Sequence, residues 1–196
     1  GKTEFYLRNP KRFVTISCVK LTKKYKFKSA ILSASSKAPD SLIKFMTGIP
    51  NFINLDGQTP IPIKINYSSP DSLGKDRLAA SVGAYKAFPG QNSIIVDMGT
   101  CITIDLVTAE GVFMGGNISP GIRMRLAAMQ HYTARLPKVD PEVTGMLLGN
   151  STKTALQNGG VLGAVMEIER TIDIVKAKYG ELNVILTGGD AEYFES

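Results

Sequence analysis

The chain of 196 residues is 43% hydrophobic and 20% charged, and its formal net charge is +6. A chain of this length can bury its own core, and with only two cysteines and one histidine it matches neither a disulfide scaffold nor a multi-histidine metal site. No apolar run approaches the roughly 20 residues of a membrane span, and no basic segment leads into an apolar run with a cleavage site, so we expect a cytoplasmic protein.

Positive charge is concentrated near the start of the chain. Five lysines lie between Lys20 and Lys28 and alternate with apolar side chains. Such a cluster could contact nucleic acid, but a solvated helix face or an edge strand guarded by lysines explains it equally well. We favour the second interpretation and do not expect nucleic-acid binding.

Short strands and helices alternate through the first half of the chain. The pattern predicts a buried strand within 29–35, a helix over 42–47 that Asp40 or Ser41 would cap, and extended segments at 49–55 and 61–65, where prolines disfavour helices. A helix is predicted to open within 72–77 and to end near Phe88.

The second half begins with a predicted β-meander over 93–116. Helices are predicted over 122–136 and 152–179, and a strand over 183–186, with a loop at 137–148. Strands that alternate with helices indicate an α/β protein. Gly159, Gly160 and Gly163 would weaken the long helix unless another backbone packs closely on them, either in the core or at a subunit interface.

The sharpest chemical feature is Asp97-Met98-Gly99-Thr100, between two apolar strands. Glycine lets the backbone turn close to a ligand, and Thr100 offers N–H and hydroxyl donors to phosphate oxygens. Asp97 would hold a cation beside that phosphate. A plain hairpin with a polar turn explains the same residues, so both interpretations stay open.

Two further segments each have two interpretations. Gly188 and Gly189 follow a predicted strand, where they leave room for a nucleotide or simply form a turn. At the start of a predicted helix, Asp76 can accept a proton from a substrate hydroxyl and Arg77 can clamp an acidic substrate, although such residues usually serve as a cap and an ion pair. His131, on a basic helix, is expected at the surface or an interface.

Six segments in order resemble the type III pantothenate kinases over residues 67–190. They are Leu73-Gly74-Lys75-Asp76-Arg77, Val96-Asp97-Met98-Gly99-Thr100 with Ile102-Thr103-Ile104-Asp105, Gly115-Gly116-Asn117-Ile118-Ser119-Pro120-Gly121, Leu136-Pro137, Gly149-Asn150-Ser151-Thr152 and Leu186-Thr187-Gly188-Gly189-Asp190. The resemblance implies the α/β fold of the actin-like ATPase superfamily, with two ribonuclease-H-like lobes, here 1–90 and 91–196, and ATP in the cleft between them.

The function implied by the resemblance is the ATP-dependent phosphorylation of pantothenate to 4′-phosphopantothenate, the first step of coenzyme A biosynthesis. The implied assembly is a homodimer whose pantothenate pocket lies at the subunit interface. On the substrate side, Asp76 matches the catalytic base. The residues that match the family's pantothenate-binding positions are Tyr67, Gly74, Lys75, Asp76, Arg77 and Thr152.

On the nucleotide side, Asp97 matches the carboxylate that binds an activating monovalent cation, K⁺ or NH₄⁺. Gly99 and Thr100 match ATP contacts, and Gly188 and Gly189 resemble the adenosine-side glycines. Mg²⁺ is expected to accompany ATP.

The sequence departs from the family at both ends. The family begins with an Asp-x-Gly-Asn-Thr hairpin around the ATP phosphates, of which only Lys2–Leu7 resembles a remnant, and relatives continue beyond Asp190. We therefore expect segments to be missing from this sequence. A non-catalytic relative that assists transcription and another small-molecule kinase of the superfamily remain alternatives, although the intact Asp76, Asp97 and Thr100 favour a pantothenate kinase.

Overall fold

The computed structural model describes residues 24–33, 38–56 and 59–194. Part of the lysine cluster, Lys20 and Lys23, lies outside the described residues, as does the segment 2–7 that resembles a hairpin remnant. The described chain divides into two compact units. One contains residues up to Thr59 together with Gly74–Asp76, and the other contains Pro60–Leu73 and the chain from Arg77 onward. The lobe boundary expected at residue 90 stays a prediction.

The first unit contains a pair of parallel strands and a short helix. Strand β1 (Ala30–Leu32) pairs with β2 (Phe52–Asn54), and the Leu55 N–H extends the ladder by donating to the Leu32 carbonyl at 2.9 Å. Helix α1 (Asp40–Met46) buries Leu42. The predicted cap is wrong: Pro39 occupies the N-cap position, and Asp40 is already helical, where its charge favours the positive helix end.

A five-stranded sheet forms the centre of the second unit, in the order β3-β6-β5-β4-β7. Its strands are β3 (Lys64–Ile65), β4 (Asn92–Met98), β5 (Cys101–Val107), β6 (Val112–Pro120) and β7 (Leu182–Thr187). Strands β4, β5 and β6 form the predicted antiparallel meander, while β7 runs parallel to β4 and β3 parallel to β6. With helices packed on the sheet, the α/β prediction is confirmed.

Both faces of β4 are buried, which explains its nearly continuous apolar sequence. Ile94, Val96 and Met98 pack with residues of helices α3 (Ile122–His131) and α4 (Thr152–Tyr179). Ile95 points to the opposite face, where it joins a second core with residues of helix α2 (Lys75–Ala87). Burying each such side chain contributes about 1.5–3 kcal/mol, so this strand anchors the unit.

Helix α4 has the predicted bounds because its ends are well marked. Ser151 and Thr154 form a capping box, and Gly180, with φ of 78°, follows the last turn. Helix α3, in contrast, ends at His131, five residues before the predicted end. The Thr133 hydroxyl donates to the Met129 carbonyl and accepts from the Leu136 N–H, a local arrangement that competes with helix continuation.

Within the described residues, none of the helices combines the length and apolar character needed to span a membrane.

Candidate active site

One edge of the five-stranded sheet collects the segments that the sequence singled out on the nucleotide side. Strands β4 and β7 are parallel, and Asp97 pairs in register with Thr187, so their carboxyl ends meet at this edge. The Gly99–Thr100 turn joins β4 to β5, and the Gly99 N–H donates to the Cys101 carbonyl at 3.0 Å. The predicted hairpin is therefore present, and it places Asp97 and Thr100 at the edge where α/β proteins bind ligands, while the roles of both residues stay predictions.

Glycine lets two neighbouring loops approach this turn closely. A Cβ on Gly121 would lie 2.1 Å from the Gly99 carbonyl oxygen, and the Gly121 N–H donates to the Thr100 carbonyl at 3.0 Å. Gly188 has a φ of 108°, and its Cβ would lie 2.2 Å from the Met98 carbonyl oxygen. Three backbone segments thus converge, and larger residues would push them apart.

Gly189 differs from its neighbour. A Cβ there would meet no atom of the described structure within 4 Å, and its φ lies outside the left-handed region. The Asp190 N–H, one residue later, donates to the Met98 carbonyl at 3.0 Å. The loop therefore contacts β4 through Gly188 and Asp190, while Gly189 between them is open. A ligand can lie against the backbone at Gly189 because no side chain is in the way.

An ion pair holds the loop that precedes helix α3. Arg125 donates through Nε to the Pro120 carbonyl at 2.8 Å and pairs with Glu167 on helix α4. Burial by itself raises the pKa of Glu167, but the hydrogen bonds from Ser119 and Arg125 and the charge of Arg125 bring that pKa below its ordinary value. Glu167 therefore stays ionised near neutral pH and links α4 to the loop beside the Gly99–Thr100 turn.

A second polar cluster lies on the α2 side of the sheet. Arg77 is buried, and its Nε donates to both carboxylate oxygens of Asp105 on β5, at 3.1 and 3.0 Å, while Nη2 also contacts Oδ1. Burial lowers the pKa of Arg77, but the hydrogen bonds and the charge of Asp105, with a further contribution from Tyr67, outweigh burial and raise that pKa above its ordinary value. The guanidinium is thus held charged inside the protein.

Tyr67 and Asp97 share this face with the ion pair. The Tyr67 ring lies 5.9 Å from the Arg77 guanidinium and 6.0 Å from the Phe113 ring. Asp97 pairs in register with Thr103, and Asp105 pairs with Ile95, so alternation along both strands directs Asp97 and Asp105 to the same face. Three residues predicted to bind ligands, Tyr67, Arg77 and Asp97, therefore belong to one face of the sheet.

The remaining predicted residues lie at helix starts. Asp76, in the first turn of α2, is exposed, and Gly74 and Lys75 are half-buried. Thr152 is the first residue of α4 and is exposed next to the capping box. His131 is exposed at the end of α3, which agrees with the expected surface position. For these residues the predicted roles in binding and catalysis stay predictions.

No role was predicted for Asp105, Arg125 or Glu167. The contact between Arg77 and Asp105 joins residues that are 28 positions apart in the sequence, and the contact between Arg125 and Glu167 joins residues that are 42 positions apart. Asp105 does carry a signal, because a carboxylate in an otherwise apolar strand needs a buried partner. The identity of that partner depends on the sheet and helix packing.

The chain's own residues fit phosphate and cation chemistry on the nucleotide side. Gly121 and Gly188 pack against the backbone of β4 and its turn, whereas Gly189 leaves open surface where a ligand could lie against the backbone, and Asp97 supplies a carboxylate at the end of β4. Within the described residues, no three His, Cys, Asp or Glu side chains cluster as a metal site.

Comparison with known proteins identifies a family. The model of the family "Type III pantothenate kinase" matches residues 11–174. A type III pantothenate kinase of Cytophaga hutchinsonii is 45% identical over 141 residues, which cover 72% of this chain and 60% of that protein. The one of Christiangramia forsetii is 38% identical over 165 residues, which cover 84% of this chain and 68% of the relative. The chain thus spans about three fifths of the length of the Cytophaga relative.

A solved structure is also similar to this chain. It is a protein from Campylobacter jejuni described as a candidate transcriptional activator of the Baf family, with a TM-score of 0.53 and 21% sequence identity. The match covers 89% of this chain and 75% of that protein. At this identity the likeness concerns the fold alone.

Proposed function

Because the chain belongs to the type III pantothenate kinase family, we propose that its protein transfers the γ-phosphoryl group of ATP to the primary hydroxyl of pantothenate, giving 4′-phosphopantothenate for coenzyme A synthesis. The observation that carries the proposal is the convergence of the Gly99–Thr100 turn with Gly121 and Gly188 at the edge where β4 and β7 end. This convergence supports a nucleotide site in a chain of this family.

Asp76 is the proposed general base. It accepts the proton of the pantothenate hydroxyl as that oxygen forms a bond to the γ-phosphorus and the bond to the ADP oxygen breaks. Its exposure in the first turn of α2 supports this role because a base must be accessible to the substrate. The proposed substrate contacts are Tyr67, Gly74, Lys75, Arg77 and Thr152.

On the nucleotide side, Thr100 and Gly99 are proposed to donate to phosphate oxygens, and Gly188 and Gly189 to lie against the adenosine. Asp97 is proposed to hold a monovalent cation, K⁺ or NH₄⁺, while Mg²⁺ binds with ATP and neutralises phosphate charge. Because these groups are already held in place, little free energy is spent on orienting them as the phosphoryl group is transferred, and this lowers the barrier. The two-lobed actin-like arrangement, with lobes 1–90 and 91–196, belongs to the same proposal.

A homodimer is the proposed assembly, and the outer face of helix α4 supports it. Gly160 packs into the core, where its Cβ would lie 2.7 Å from Leu126 Cδ2. Gly159 and Gly163 have no such neighbour, and the exposed Met166 and Ile174 continue their face. Small and apolar residues on the outer face of this long helix, beside the exposed Arg170–Asp173 pair, suit packing against a second copy.

Phosphorylation of pantothenate by the full-length protein tests the proposed function, measured with ATP in the presence and absence of K⁺. We expect Asp76→Asn to lower kcat by about 10²–10⁴-fold, because the base contributes that much to proton transfer. Asp40→Asn, the same change at an exposed position in the first turn of α1, is the matched control and should leave kcat unchanged. Near wild-type turnover in Asp76→Asn would exclude Asp76 as the base.

The alternative of an accessory factor in transcription is not favoured. The similar Campylobacter jejuni protein supports the fold only, and the lysine cluster lies partly outside the described residues. Another small-molecule kinase of the superfamily would phosphorylate a different alcohol, so a panel of hydroxyl substrates in the same assay separates the two.

A further inference from the structure

The Arg77–Asp105 pair is enclosed by the protein. Arg77 exposes 6% of its side chain and Asp105 exposes 3%. Both carboxylate oxygens accept from the guanidinium, so the fork-shaped contact fixes the plane of Arg77 as well as its position. A buried arginine in this geometry has its orientation set by the carboxylate, which here stands in the middle of the sheet.

Strand β6 is shaped to leave room for this carboxylate. Gly116 pairs in register with Asp105, and a Cβ on Gly116 would lie 2.4 Å from Asp105 Oδ1 and 2.0 Å from the Ile104 carbonyl oxygen. Phe113, fully buried on the same strand, places its ring 5.9 Å from the Arg77 guanidinium. On the sheet side, the backbone of β6 and the buried Phe113 ring therefore leave the ion pair little room to move.

Tyr67 completes the cluster. Its ring lies 5.9 Å from the Arg77 guanidinium and meets the Phe113 ring edge-on at 62°. Gly115, with a φ of 91°, brings the β6 backbone against the tyrosine, because a Cβ there would lie 3.4 Å from Tyr67 Cδ2. Tyr67 is also among the causes that raise the pKa of Arg77, which agrees with the short distance between the ring and the guanidinium.

We infer that Asp105 is a positioning residue for the acceptor substrate: through Arg77 it holds Tyr67 in the orientation that binds pantothenate. This inference rests on the proposed function and deepens it, because Asp105 lies behind Arg77 and acts on the substrate through the other two residues. The order of contacts is Asp105 to Arg77 and Arg77 to Tyr67.

The net charge of the cluster also favours a positioning role for Asp105. Arg77 and Asp105 are close to neutral as a unit, so the pair as a whole attracts a substrate carboxylate less than a lone arginine would. What the pair supplies, together with the Phe113 ring, is a fixed polar and aromatic support for Tyr67. Asp105 thus fixes the orientation in which Arg77 supports Tyr67 and serves as a proposed contact of the acceptor.

Steady-state kinetics of the full-length protein test the inference, with KM for pantothenate, KM for ATP, kcat and Tm measured on each variant. Asp105→Asn should raise the KM for pantothenate by about tenfold, with KM for ATP within about twofold of the wild-type value. Tyr67→Phe should raise the same KM. Because both changes act on one chain of contacts, the double variant should be no worse than the more affected single variant.

The following results would overturn the positioning role of Asp105. If Asp105→Asn lowers only Tm and leaves KM for pantothenate unchanged, or if its effect adds fully to that of Tyr67→Phe, Asp105 is merely structural and the inference is wrong. Should Asp105→Asn fail to fold, Arg77→Lys keeps a cation beside Asp105 but lacks the planar fork, and a normal pantothenate KM in that variant overturns the inference equally.

The wild-type protein is assayed first, so that the two proposals can fail separately. A folded wild-type protein that does not phosphorylate pantothenate refutes the proposed function, and the inference falls with it. An active wild-type protein whose variants keep a normal pantothenate KM refutes only the positioning role of Asp105.

Discussion

Replacing Gly188 by alanine tests whether the loop after β7 depends on this glycine to pack against β4. Gly188 has a φ of 108°, which L-residues rarely adopt, and the added Cβ would lie within 2.2–2.5 Å of three backbone atoms of Met98. Backbone atoms in a central strand cannot move aside as a flexible side chain can. We therefore expect the loop to shift away from β4 and to lose the hydrogen bond from the Asp190 N–H to the Met98 carbonyl.

The magnitude follows from these two losses. Holding alanine in a sparsely populated backbone region costs about 1–3 kcal/mol. A lost intramolecular hydrogen bond adds about 0.5–1.5 kcal/mol. Together they lower the free energy of unfolding by about 1.5–4.5 kcal/mol, which corresponds to a Tm lower by about 3–18 °C in a chain of this size.

Gly189→Ala is the matched control, because its added Cβ meets no atom of the described structure within 4 Å. We expect its Tm to change by about 2 °C or less. Thermal unfolding followed by circular dichroism measures both variants, and KM for ATP is determined on each. A raised KM for ATP in Gly189→Ala at unchanged Tm would support adenosine packing on this glycine. Equal Tm values for Gly188→Ala and the wild-type protein would refute the packing argument.

Three further expectations concern charge and assembly. The folded-state pKa of Glu167 lies below its unfolded value of about 4.5, so the ion pair with Arg125 stabilises the protein fully above that pH. This stabilisation is lost as pH falls through the lower folded-state pKa. The Tm values of Glu167→Gln and the wild-type protein should therefore converge in acid, and a constant difference between them would contradict this expectation. Asp97→Asn should abolish the stimulation of turnover by K⁺, measured as the ratio of rates with K⁺ and Na⁺, and a preserved ratio would place the cation elsewhere. Met166→Glu on the exposed face of α4 should convert the proposed dimer to monomer in sedimentation experiments. The control is Ala87→Glu, at an exposed position of α2, which packs on the opposite face of the sheet, and an unchanged mass for Met166→Glu would exclude the α4 face as the interface.

Local sequence signals were sufficient for most elements of the second unit. The apolar run of β4, the turn residues of the meander and the apolar spacing of α4 each agree with the observed structure, because local preference and tertiary packing favour the same conformation there. Helix α3 is the exception. Its predicted extension to residue 136 followed helical spacing, whereas Thr133 offers the backbone competing hydrogen bonds that the spacing does not reveal.

The candidate site was predictable in its residue types but not in its contacts. Arg77 could be singled out as a charged residue at a helix start, yet its burial and its partner depend on how α2 packs on β5. The same holds for Arg125 and Glu167, which meet only because α3 and α4 pack side by side. Contacts between distant residues of a chain require the tertiary structure, and one sequence without relatives does not supply it.

The glycines of helix α4 show most clearly what structure adds to sequence. All three predict close packing, and the sequence left a core contact and a subunit interface equally open. Gly160 faces Leu126, which confirms the core contact for that glycine. Gly159 is exposed and Gly163 is half-buried, and for these two the subunit interface stays a prediction. One helix can serve the core and an interface together because 3.6 residues per turn place neighbouring glycines on different faces. The glycines at 159 and 163 therefore belong with the proposed dimer, and Gly160 with the stability of the single chain.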